Sequence, residues 1–146
     1  MFSLFSSLLS SKNQKLVKKW IKEHEKIVLL AHKVIAEYSK NNHNTAKKAL
    51  NELNELAVDH IMNEDIEFYK LLKDHKRSDT QTEQLVDDFV KSFKGTKAAL
   101  MSFLTKYSRP ETPLDDEFFK TFNELVDILA ERIEFEEKNL YKALSS

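Results

Sequence analysis

Residues 51–72, NELNELAVDHIMNEDIEFYKLL, decide the fold. Leu53, Leu56, Ala57, Ile61, Phe68, Leu71 and Leu72 recur at three- and four-residue spacing, the period of one face of an α-helix. His60 and Glu64 fall on the same stripe, four residues apart. That spacing puts an imidazole and a carboxylate on a face otherwise reserved for apolar side chains.

The same period runs through three further segments. One carries Trp20, Ile27, Ala31 and Val34, the next Phe89, Phe93, Leu100 and Leu104, and the last Phe118, Phe122, Leu125 and Leu140. Breakers fall only at Asn41 to Asn44, Arg77 to Thr80 and Ser108 to Pro113. Asn44 is the expected cap of the second helix, Thr80 with Glu83 a capping box for the third, and Thr112–Pro113 the opening of the fourth. Loops this short make neighbouring helices antiparallel. The expected architecture is all-α, an up-down-up-down four-helix bundle.

Composition closes off other classes. With one Gly, two Pro and no Cys in 146 residues, there is no disulfide framework, thiolate zinc site or Gly-rich phosphate loop. The 23 basic and 24 acidic residues leave a formal charge of −1, which predicts no nucleic-acid partner. No apolar run reaches the roughly 18 residues of a membrane span. The start, MFSLFSSLLSSKNQK, has neither a basic leader nor a small-residue cleavage site. It reads as an arm or lead-in helix over residues 1–12, ahead of a bundle at 13–146, in a cytoplasmic protein.

Ionisable residues on the apolar stripes are the candidates for function. His24 is in phase with Trp20 and Ile27; Arg132 and Glu136 sit on the fourth stripe between Leu129 and Leu140. At an offset of 72 residues, His60–Lys70 lies over Arg132–Lys142, a pattern of two related helical hairpins. Buried charges are costly, so such a layer is paired, protonated or metal-bound.

His24, the pair His60-x-x-x-Glu64 and the acid in FEEKNLY resemble the hemerythrin or HHE cation-binding family. The resemblance implies a bundle with a non-haem iron centre, and His24, His60, Glu64 and Glu136 as its metal ligands here. The family pattern has further histidines where this chain has Arg132 and where its third helix has none. An Arg cannot ligate, and its charge repels a cation. The sequence therefore predicts a degenerate site, metal-free or holding one ion, with the Arg132 guanidinium paired to Glu64 and Glu136 as a substitute charge. Such a protein is expected to sense, regulate or bind a protein partner and not to be an enzyme. A competent iron protein binding O2 or NO is the alternative.

KLVKKWIKEHEKIVLLAHKVI and ELVDILAERIEFEEKNL are also similar to stretches of the Rsd/AlgQ family, implying a second alternative, a regulator that binds the RNA polymerase sigma factor. His32 is expected half-buried, His43 in a loop and His75 near a helix end. Lys12, Lys15, Lys18, Lys19 and Lys22 read as a solvated helix face. Gly95, with Ala98 and Ala99, is expected to let the third helix approach a neighbour closely.

Overall fold

A computed structural model describes the backbone of residues 4–73 and 80–142, with side chains at 14–67, 70, 84, 85 and 87–142. The elements are α1 (Leu4–Ser39), α2 (His43–Lys73), α3 (Thr80–Ser108) and α4 (Asp116–Phe135), followed by a π-helical turn, Glu136–Leu140. Helices α1 and α2, α2 and α3, and α1 and α4 are neighbours. Stacked rings close the square between α3 and α4, with Phe103 against Phe118 and Phe122. The chain is an antiparallel four-helix bundle, and α1 already includes residues 4–12. No described helix is long and apolar enough to cross a membrane. The Thr80–Glu83 capping box, Phe68, Leu71, Leu72, His75 and the side chains of the first 13 residues lie outside what is described.

Each visible turn has a chemical cause. At the end of α1 the Asn42 N–H donates to Glu37 C=O at 2.8 Å and the Asn41 N–H to Tyr38 C=O at 2.9 Å. This paired closure needs a left-handed residue, and Asn41 supplies it at φ 66°, where most proteins use Gly. Because the Asn42 carbonyl already accepts from the Ala46 N–H, α2 starts at His43, earlier than an Asn44 cap would allow. Helix α4 starts later than expected. Leu114 is buried in the core, and the Asp115 carboxylate accepts the Phe118 N–H at 2.8 Å, capping the helix in place of Thr112. The Lys47 ammonium ties the intervening loop to α2 by donating to the carbonyls of Tyr107 and Thr112.

Buried apolar side chains form two clusters. The larger spans all four helices around Val34, Leu50, Leu104 and Phe118. The smaller holds Val17, Trp20, Phe89, Leu140 and Tyr141. Along α1, His24 falls between Trp20 of one cluster and Ile27 of the other, so a polar layer divides the core. Lys15, Lys18, Lys19 and Lys22 are exposed, as a solvated face requires.

Gly95 does not permit a close approach. It faces solvent, nothing lies within 4 Å of where a Cβ would stand, and Ala98 and Ala99 are exposed beside it. Replacing Gly95 with Ala therefore removes only chain entropy from the unfolded state. Gly95→Ala is expected to raise stability by about 0.5–1 kcal/mol, read as a higher urea midpoint at constant slope.

Candidate metal centre

Three elements build the polar layer. His24 comes from α1, His60 and Glu64 from α2, and Glu136 from the first position of the π-turn; all four are buried, between 2% and 6% exposed. Their ligand atoms lie within 4.8 Å of one another. His24 Nε2 is 3.2 Å from Glu136 Oε1. His60 Nε2 is 2.5 Å from Glu64 Oε1, yet the ring N–H direction misses the oxygen and that nitrogen has no hydrogen-bond partner.

Around this ring stands a second one that periodicity alone does not reveal. His60 Nδ1 contacts Glu23 Oε1 at 2.9 Å, and His24 Nδ1 contacts Glu137 Oε2 at 3.0 Å. An ionised carboxylate only accepts, so each Nδ1 carries a proton and each Nε2 faces the middle of the layer. The Tyr141 hydroxyl donates to Glu64 Oε2 at 2.9 Å and lies 3.2 Å from His24 Nε2. In an α-helix Tyr141 would stand about 140° round from Glu136. The π-turn, closed by the Tyr141 N–H on the Glu136 carbonyl, brings both inside. The only hint in the sequence is the tyrosine shared by the two hairpins, Tyr69 and Tyr141, and Tyr69 lies outside the described side chains.

The layer is neutralised by shared protons. Burial, then the charge of Glu64 and a hydrogen bond with it, holds Glu136 well above the usual carboxylate range and favours its neutral form. Burial opposes ionisation of Glu64 too, but the close approach and charge of His60 outweigh it and lower its pKa. Burial likewise opposes charge on His60, where Glu64 and then Glu23 prevail and raise its pKa. His24 goes the other way, lowered by burial and by His60. Charge is thus favoured on His60 and Glu64 and disfavoured on His24 and Glu136.

The expected pairing of Arg132 with Glu64 and Glu136 is not what the structure shows. Its guanidinium lies 4.4 Å over the rings of both Phe89 and Phe93 on α3. It donates to Ser92 Oγ at 3.2 Å and reaches the Phe89 carbonyl at 3.4 Å. Two aromatic faces and a hydroxyl hold the half-buried guanidinium outside the layer, although its buried Nε has no hydrogen-bond partner. The middle of the layer is left to the histidines and acids. The 72-residue offset also maps His24 onto Thr96, so the second half of the pattern supplies no imidazole. His32 is exposed, against expectation, and borders an apolar cavity of about 70 Å³. His43 begins α2 and stacks on Tyr38.

These residues fit one transition-metal ion. Two imidazole nitrogens and two carboxylates suit iron, manganese or zinc. Bonds of about 2.0–2.2 Å put opposite donors roughly 4.2 Å apart. The observed 4.8 Å spread closes with a contraction of about half an ångström. His60 Nε2, unpartnered beside Glu64 Oε1, converges with that oxygen on one point and becomes a donor once the ring gives up its second proton.

The proton arrangement predicts an asymmetry between two isosteric changes. Glu136→Gln keeps a neutral donor to Glu64 and is expected to change stability by less than about 1 kcal/mol at neutral pH. Glu64→Gln leaves the His60 ring with Glu23 alone as a carboxylate partner and costs about 1.5–3 kcal/mol. A raised His60 pKa stabilises below the unfolded value of 6.5 and is lost as pH rises through the folded value. The lowered Glu64 pKa sets the acid limit. The Glu64→Gln deficit in urea unfolding should therefore peak between those limits and shrink on the alkaline side.

The model of the hemerythrin HHE cation binding domain matches residues 15–144. No curated protein and no solved structure matches the chain. With nearly all of its length matched, and with two histidines and two acids meeting in the middle of its bundle, the chain belongs to the hemerythrin HHE cation-binding family.

Proposed function

We propose that this protein is a single-ion HHE domain that holds iron between His24, His60, Glu64 and Glu136. The convergence of those four buried donors, within 4.8 Å of one another, carries the reading. It replaces the expectation of a metal-free layer, because Arg132 is engaged on α3 and leaves the position open to a cation. One ion is proposed because α3 contributes Phe89, Ser92 and Thr96 towards this level of the bundle and no imidazole.

When bound, iron supplies Lewis acidity and a one-electron couple. The chain's own part is to fix the donors and to trade protons. Glu23 and Glu137 hold the two rings by Nδ1, the carboxylate–histidine arrangement that orients metal-ligating imidazoles. Both acids are partly exposed, at 15% and 33% of their side chains, so they link the rings to solvent. His60 and Glu136 must each lose a proton to ligate. Loss of two protons balances the arrival of a divalent cation, and the buried layer stays neutral in both states.

Occupancy would join α1, α2 and the C-terminal π-turn through one centre. That coupling supports a sensory or regulatory role, in which the bound and free states differ in how firmly the C-terminal segment is held, in preference to turnover. A ligand at 100 times its Kd adds about 2.7 kcal/mol to stability, enough to read as a shift in Tm.

Equilibrium dialysis against Fe(II) without oxygen tests this. One ion per chain is expected, with Kd tightening roughly tenfold per pH unit for each proton still held by His60 and Glu136. His60→Ala should abolish uptake, whereas Arg132→Gln should leave the stoichiometry unchanged. A wild-type chain that binds no iron, or two irons, overturns the proposal.

A further inference from the structure

We infer that Tyr141 Oη is a fifth donor in this centre, and that it suits the site to a trivalent ion. The inference rests on the proposed single-ion site and extends it to a residue that neither the His/Glu pattern nor the family match supplies.

Distances come first. Donors at right angles around an ion, with bonds of about 2.1 Å, stand roughly 3.0 Å apart. Tyr141 Oη is 2.9 Å from Glu64 Oε2 and 3.2 Å from His24 Nε2, while His24 Nε2 is 3.2 Å from Glu136 Oε1. The phenol oxygen thus occupies the same kind of edge as the accepted donors. It touches one ligand from α1 and another from α2.

The side chain is also held in place. Tyr141 is 1% exposed. Its ring stacks on His24 at 14° between planes and a centroid separation of 5.6 Å. On its other contacts it meets Trp20 at 5.4 Å. Two flanking rings fix both side-chain torsions, so little conformational freedom is lost on ligation. The π-turn points the same way. Its extra residue interrupts the regular hydrogen-bond ladder of the last helix, and its structural effect is to put Tyr141 on the same face as Glu136.

Charge decides which ion gains. Two neutral imidazoles with Glu64 and Glu136 ionised offer two negative charges and balance a divalent cation. Ligation by Tyr141 would break the O–H bond, form a metal–oxygen bond and send the proton to solvent. The donor set then carries three negative charges and balances Fe(III) in a layer where an unbalanced charge is expensive. With Zn(II) or Fe(II) the hydroxyl would keep its proton and the hydrogen bond that it makes to Glu64.

Loading the full chain with ferric nitrilotriacetate tests this, read by visible absorption and by resonance Raman excited in that band. One Fe(III) per chain, a tyrosinate-to-iron charge-transfer band and tyrosinate ring modes are expected. Tyr141→Phe should lose band and modes, bind Zn(II) within about threefold of wild type, and prefer Fe(III) over Zn(II) at least tenfold less. Iron-loaded wild type without tyrosinate modes overturns the inference alone, and needs no folded variant. So does a Tyr141→Phe protein that keeps the band. A wild-type chain that takes up neither Zn(II) nor Fe(III) overturns the single-ion reading as well.

Discussion

The bundle is organised by the cost of charge in its middle. His24, His60, Glu64 and Glu136 stand between two apolar clusters, at 2–6% exposure, where water does not solvate them. Isolated ions in such a layer would cost several kcal/mol each. The solution is neutrality by sharing. Charge is favoured on His60 against Glu64, while burial favours the neutral forms of Glu136 and His24. Replacing a buried charged layer by well-packed apolar side chains is often neutral or stabilising, so stability alone does not account for the layer.

Much of the surrounding structure serves that layer. Glu23 and Glu137 hold the outward nitrogens of the two rings. The π-turn carries Glu136 in and brings Tyr141 beneath it. Trp20, fully buried, packs against Tyr141 and meets His60 edge-on, sealing the layer on the side of the smaller cluster. Arg132, one turn before Glu136, is drawn away by the ring faces of Phe89 and Phe93 and by Ser92. Its charge still favours ionisation of Glu136, but from outside the ring of donors.

The bundle was legible in the sequence because a 3.6-residue period needs only the apolar pattern. His24, His60, Glu64 and Glu136 were legible for the same reason, as polar residues in apolar phase. Glu23 and Glu137 were not, because each looks like one more acid on a solvated flank until a ring from another helix is seen to reach it. Tyr141 was out of phase for an α-helix, and only the π-turn corrects its position. Arg132 shared the phase of the inner residues, yet a long side chain selects among partners within its reach, and periodicity does not rank them. Gly95 was assigned to an interface from its place in the third helix beside the small Ala98 and Ala99, although its helical face is open to solvent. Phase locates the centre of a face, and misjudges its edges.

The most direct measurement is anomalous diffraction at the iron edge from crystals of the iron-loaded protein. One peak per chain is expected, inside the layer and within bonding distance of His24 Nε2, His60 Nε2, Glu64 and Glu136. An empty layer, or a second peak on the side of Phe89 and Arg132, would contradict a single-ion centre.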